Sequence, residues 1–257
     1  MHRIAVTALL AFSTAFAQPK TLKFDVASLK PSTAAAPGGG IRPAQGGERY
    51  IATNITLRLM IQVAYQLKPE QIVGGPDWLN TDRWDMNAKA EKPSNADELH
   101  AMLQDLLVER FGLKFHNETK EGPVYVLAVD KASKMTPHDA ASAGDPWIDQ
   151  AIQGAVHVKW TAKFCSMDYL AWRLGQIMDR PVINRTDLKG GFDFDLSYTR
   201  DLPPGIPPDA QINGEPIDTS GPNIFTAMKQ QLGLKLEAQK GPVQVMVIDK
   251  VEKATEN

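Results

Sequence analysis

Cysteine is almost missing from this chain: Cys165 is the sole one among 257 residues. No internal disulfide can form, so the fold must hold itself together through an apolar core. Cys165 stands close to Phe164 and Met167 and reads as a small buried apolar residue rather than a reactive thiol. A surplus of one charge is also lacking. The chain has 28 Lys and Arg against 30 Asp and Glu, a formal net charge of −2, and its basic residues are scattered. Nucleic-acid binding wants a concentrated basic face, so no nucleic-acid partner is expected. Beyond the first residues no run is long and apolar enough to span a bilayer.

Chemistry-bearing patterns are scarce as well. His100, His116, His138 and His157 make no His-x-x-x-His or His-Glu pair at ligand spacing, so neither a metal site nor a cofactor is expected. There is no Gly-x-Ser-x-Gly elbow to start Ser/His/Asp hydrolysis. Gly38-Gly39-Gly40 is followed by the strand-like Arg49-Tyr50-Ile51-Ala52 rather than by Gly-Lys-Ser/Thr and a helix, which argues against a phosphate cradle. No catalytic residue emerges.

What is present begins at the N-terminus. Met1-His2-Arg3 is a short basic start, Ile4 to Phe12 an apolar core, and Ala15-Phe16-Ala17 fits small-x-small cleavage. This is a signal peptide over residues 1–17 with Gln18 as the mature start, which implies a secreted or periplasmic protein. With 43% hydrophobic and 23% charged residues, the mature chain has the composition of an ordinary globular protein.

Its strongest internal feature occurs twice. Gly112-Leu113-Lys114-Phe115 leads to Gly122-Pro123-Val124, ending at Asp130-Lys131; Gly233-Leu234-Lys235-Leu236 leads to Gly241-Pro242-Val243, ending at Asp249-Lys250. The flanking periodicity follows the same order in both halves. The expected fold is therefore α+β, as two tandem two-layer β-α-β-β-α-β-β units produced by internal duplication. The first unit covers residues 18–131, with an N-terminal strand and a Gly/Pro-rich loop. Residues 132–153 read as a linker, and residues 154–257 form the second unit, with a Pro-rich insertion at 201–222. Helices are expected after Asn54 or Thr56, after Ser94 with Asp97 as a capping box, after Ser166, and from about Asn223 to Leu232. Gly122-Pro123 and Gly241-Pro242 read as tight turns, each joining a pair of strands.

The runs Phe24-Asp25-Val26-Ala27-Ser28-Leu29-Lys30-Pro31, Ala52-Thr53-Asn54-Ile55-Thr56-Leu57 and Gly74-Gly75-Pro76-Asp77-Trp78-Leu79, with the terminal Gly233-to-Lys253 segment, resemble a secreted family of unknown function. That family is expanded in soil acidobacteria (Solibacter-type). The resemblance implies export and no established activity. Some relatives are joined to a membrane metallopeptidase of the antibiotic-sensor type, which implies a sensory or binding role. In element order each half also resembles the short N-terminal domain of secretins and TonB-dependent transducers, an interaction module of the envelope.

Three residues stand out as binding candidates. Trp78, beside Asp77 in a Gly/Pro-rich loop, offers a ring for a sugar or a peptide anchor, or else folds back as a lid on the first core. Trp147, in the expected linker, is the other aromatic suited to a surface contact. Asp193 and Asp195 share one face of a strand and supply an acidic pair, or simply a solvated strand face. The leading expectation is an exported, non-catalytic binding protein whose partner is an envelope protein, an extended peptide met by strand addition, or a glycan. A secreted hydrolase of glycan or peptide and a periplasmic assembly scaffold are the alternatives.

Overall fold

Alternation of apolar and polar residues builds the inner strands of two of the sheets. In Arg83–Ala90 the buried positions are Trp84, Met86, Ala88 and Ala90, the period-two pattern of a sheet with one dry face. The computed structural model describes residues 22–34, 38–44, 46–139, 147–202, 205–207, 210–212 and 214–254. The expected signal peptide lies outside the described residues.

The first half runs β1 (Phe24–Pro31), β2 (Gly40–Pro43), β3 (Arg49–Thr56), α1 (Leu57–Ala64), β4 (Ile72–Gly74), α2 (Trp78–Thr81), β5 (Arg83–Ala90), α3 (Ala96–Phe111) and β6 (Lys114–Val129). The second runs β7 (Thr136–Pro137), β8 (Ile148–Gln153), β9 (His157–Cys165), α4 (Met167–Ile177), β10 (Val182–Asn184), β11 (Phe192–Thr199), the small pair β12 (Gln211–Ile212) and β13 (Glu215–Pro216), α5 (Ile224–Ala227) continued by a π turn at Met228–Leu232, and β14 (Leu234–Lys250). The fold is mixed α+β with several sheets. One sheet has the order β1-β5-β3-β2, a second β7-β11-β9-β8, and a third, β10-β6-β14-β4, takes strands from both halves. Within the segment read as a linker, β7 and β8 are strands of the second sheet.

Side-chain caps fix where the helices start. Thr56 accepts the Leu59 N–H, Ser166 the Tyr169 N–H and Asn223 the Thr226 N–H, each satisfying a donor the first turn leaves open. The cap of α3 is Asn95, paired with Glu98 in a full capping box, one residue after the expected Ser94. Gly112 and Gly233 end their helices in the left-handed region, at φ 57° and 71°.

One expectation is corrected. The stretches through Gly122-Pro123 and Gly241-Pro242 are not hairpins: β6 and β14 are single strands of 16 and 17 residues. They pair antiparallel with each other, Leu234 opposite Val129 through to Lys250 opposite Lys114, with Gly241 opposite Gly122. Proline is tolerated there because of where its missing donor points. Amide direction alternates along a strand, and the Tyr125 N–H leaves β14 to reach the Pro181 carbonyl at 2.8 Å. Pro123, two residues earlier, therefore lacks a donor on the side where β10 has not yet begun to pair. The glycines serve the crossing itself. A Cβ on Gly122 would lie 3.0 Å from Val243 Cγ2, and one on Gly241 3.0 Å from Val124 Cγ2.

Two cores result. Tyr50, Ile55, Leu57, Met60, Leu103, Leu107 and Phe111 centre the first, closed by Met246 and Ile248 from β14. Trp160, Cys165, Leu170, Leu174 and Leu196 centre the second, closed by Leu127 from β6. Each half thus borrows part of its core from the other half's long strand.

Candidate functional site

A cleft lies where the halves meet. α1 ends at Tyr65, and the chain turns through Gln66 at φ 55° into a single 3-10 turn, Pro69–Gln71. Gln71 stitches this corner down: its Oε1 accepts the Lys68 N–H at 2.9 Å and its Nε2 donates to the Gln244 carbonyl of β14 at 2.7 Å. Lys68 then reaches across the halves and donates to the Met178 carbonyl at the end of α4, at 2.7 Å. A cation at a helix C-terminus is favourably placed. The opposite wall is α4 with Pro181 and β10, where Asn184 donates to Asp168 Oδ1 at 2.8 Å. Pro242, Val243 and Gln244 complete a cleft of about 380 Å³.

Its lining is amide-rich and aromatic: Gln66, Gln71, Gln176, Asn184 and Gln244, with Tyr65 and Trp172. The Trp172 Nε1–H is sealed from water and has no acceptor, an unmet donor on a lining residue. Tyr65 stays protonated because burial, aided by the Asp105 charge, pushes its phenol up to about 12. Behind this wall sits His100, against Tyr50, Tyr169 and Trp172 with ring centroids 5.5 to 5.9 Å apart. Gln66 Nε2 donates to its Nδ1 at 3.0 Å and to Asp97 at 3.1 Å. Burial lowers the imidazole to about 4, so it is neutral and carries its proton on Nε2. Among the described residues no Ser, Thr, Cys or His lines the cleft, so they do not assemble there the nucleophile-and-base geometry of acyl transfer.

Two histidine–carboxylate pairs elsewhere are engaged in structure. His138 Nδ1 meets Asp193 Oδ1 at 2.7 Å, but the His138 side chain is only 3% exposed and stacks on Phe164. Asp193 also accepts the Phe164 N–H at 2.9 Å and pairs with Lys163 at 3.2 Å. Burial raises the Asp193 carboxyl, but those three partners outweigh it and hold it below the ordinary range. Asp195, on the same strand, accepts the Thr161 hydroxyl. His157 lies 3.1 Å from Thr199 Oγ1 and 3.2 Å from Asp218, which has the look of a triad. The Thr199 hydroxyl donates instead to the Ser220 carbonyl at 2.7 Å. Its proton points away from the imidazole, so His157 cannot serve it as base. Among the described residues no cluster of three or more His, Cys, Asp or Glu could hold a metal ion.

The residues singled out from sequence fall in separate places. Trp78 packs partly buried on the first core, with the Lys253 ammonium 5.6 Å from its ring centre. Asp77 is exposed and makes no side-chain cap to α2. Trp147 packs partly buried on the second core and donates to Asp149 at 3.0 Å. None of the three lines the cleft. Sequence reasoning missed the cleft because its walls are drawn from three distant segments; only the glutamines after α1 and within α4 offered a local signal.

A family model described as a protein of unknown function, DUF3738, matches residues 58–251. The chain belongs to this family. The DUF3738 match begins inside α1 and ends just past β14, so it takes in every residue lining the cleft. No curated protein and no solved structure matches the chain. Among the described residues of this DUF3738 protein, no helix is long and apolar enough to cross a membrane.

Proposed function

We propose that this chain is an exported binding protein of the cell envelope or exterior, without catalysis of its own, whose ligand seats in the cleft between α1 and α4. The composition of the cleft carries this reading: amides, one Lys and one Asp share its lining with two aromatic rings, and among the described residues no Ser, Thr or Cys stands there beside a base. Ligand sites favour junctions between packed units, with few polar groups fixing orientation. Amide pairs and an indole suit a glycan or a short extended peptide, which offer paired donors and acceptors along a flat face. The export assignment rests on the Met1–Ala17 pattern alone.

The two halves are further proposed to be copies of one unit. In β3 the pairing with β5 shifts between Ala52 and Ile55, Asn54 takes φ 52°, and its N–H is accepted by Asp85. In β9 the pairing with β11 shifts alike, Phe164 takes φ 48°, and its N–H is accepted by Asp193. The β6–β14 register is likewise symmetric about Gly122 and Gly241. Such bulges are specific features that unrelated sheets do not share by default.

Replacing the exposed Gln176 by photoreactive benzoylphenylalanine, in the native envelope, should yield a defined crosslinked adduct. The same residue placed at Glu91, away from the cleft, should yield none. No adduct at position 176, together with turnover of a glycan or peptide library that Asp193→Asn abolishes, would replace this reading with the hydrolase.

A further inference from the structure

A second cavity, sharing no residue with the cleft, has a different character. It measures about 730 Å³ and lies where the π turn and the start of β14 meet the segment after β6. Lys131, Lys134, Lys229 and Lys235 line it, against a single lining carboxylate among the described residues, Asp130. In a chain whose charges otherwise nearly cancel, four cations around one cavity are a local exception. Two are partnered: Lys229 lies 3.7 Å from Asp130 and Lys235 2.7 Å from Glu237. Lys134 donates to the Gln230 carbonyl rather than to an acid. Among the described residues, Lys131 has no carboxylate within ion-pair distance.

The first half makes the contrast. In the proposed duplication Lys114, Lys250 and Lys253 stand where Lys235, Lys131 and Lys134 stand. There Glu252 pairs with Lys250 at 2.7 Å and lies near Lys114, while Asp82 takes Lys253 at 2.6 Å. The second half has Ser133 in the place of Glu252, so the neutralising acid is gone and the lysines stay. The cavity also carries an apolar patch. Phe225 is 39% exposed, with its ring held edge-on to Tyr125 at 5.4 Å, and Leu236 lies beside it. π turns are rare in helices and recur at functional sites; here one supplies Lys229 and Gln230.

We infer that this cavity binds a phosphate-bearing anion, with Lys131 and Lys134 neutralising the headgroup and Phe225 meeting an attached apolar part. A singly charged carboxylate would leave cations unmatched, whereas ammonium groups act as point charges well suited to phosphate. The phosphate can arrive on a lipid headgroup or free in solution, and the test separates the two.

The mature chain is floated with phosphatidylcholine vesicles containing phosphatidylglycerol, and titrated with inorganic pyrophosphate by calorimetry. Each Lys near an anionic surface contributes about fivefold to affinity, so Lys131→Glu with Lys134→Glu should lower binding by about 30-fold or more. Lys89→Glu with Lys92→Glu changes net charge equally and should leave binding near the wild-type value. Flotation with this pattern assigns the lipid source; pyrophosphate binding with this pattern, without flotation, assigns the soluble one. If the wild type binds neither probe, or both double variants lose affinity alike, the inference is overturned. Should the glutamate variant melt early, Lys131→Gln with Lys134→Gln replaces it, with an expected loss of about 30-fold.

Discussion

Burying an imidazole penalises only its charged form, and that asymmetry makes His100 a reporter of the junction between the halves. Its pKa falls from 6.5 when unfolded to about 4 when folded, so the unfolded chain binds the extra proton first. Stability is therefore complete above pH 6.5 and declines as the pH falls towards 4, by about 3 kcal/mol at most. Urea unfolding at pH 7 and pH 4.5 should show that loss, and His100→Asn should flatten the pH dependence while lowering stability at pH 7. An unaltered pH slope in the variant would sink the assignment. At this scale some residues were legible in the sequence. Cys165 is fully buried, as its apolar neighbours suggest, and the burial of Trp84 follows from strand alternation. His100 was not legible, because its surroundings come from β3, α3 and α4 at once.

Elements were more legible than residues, but only where one local signal decides them. Caps, helix-stopping glycines and alternating strands are written within a few residues of where they act. The long strands are not, since whether Gly122-Pro123 turns or runs straight depends on β14, which lies more than a hundred residues away. The paired bulges give this scale its test. Asp85 and Asp193 each satisfy the amide of a residue with positive φ, and losing the acceptor leaves a partly buried donor unmet. Asp85→Ala and Asp193→Ala should each destabilise by about 1–3 kcal/mol. Asp195→Ala, whose partners are exposed, should change stability by no more than about 0.5 kcal/mol. Chemical denaturation measures all three. Similar losses at Asp193 and Asp195 would return both to a solvated strand face.

At the scale of the whole molecule, the sharing of strands decides how the chain can be divided. A tandem pair of self-contained units would separate at residues 132–153, whereas here β4 pairs with β14, β10 pairs with β6, and each core is closed by the other half's long strand. Residues 18–131 alone would expose the dry side of β6 and lose Met246 and Ile248 from the first core. Removing large core side chains costs about 2–5 kcal/mol each, comparable to the whole stability of a small domain. The prediction is that neither half folds as a monomer. The register offers one escape: because β6 and β14 pair symmetrically about Gly122 and Gly241, a second β6 can take the place of β14 with Gly122 opposite Gly122. Residues 18–131 expressed alone should sediment either as an unfolded monomer or as a folded dimer whose helicity is lost on dilution. Sedimentation and circular dichroism over a dilution series decide it. A folded monomer at low concentration would contradict the strand sharing, and a dimer would show directly how a duplicated gene could fuse one two-fold assembly into a single chain.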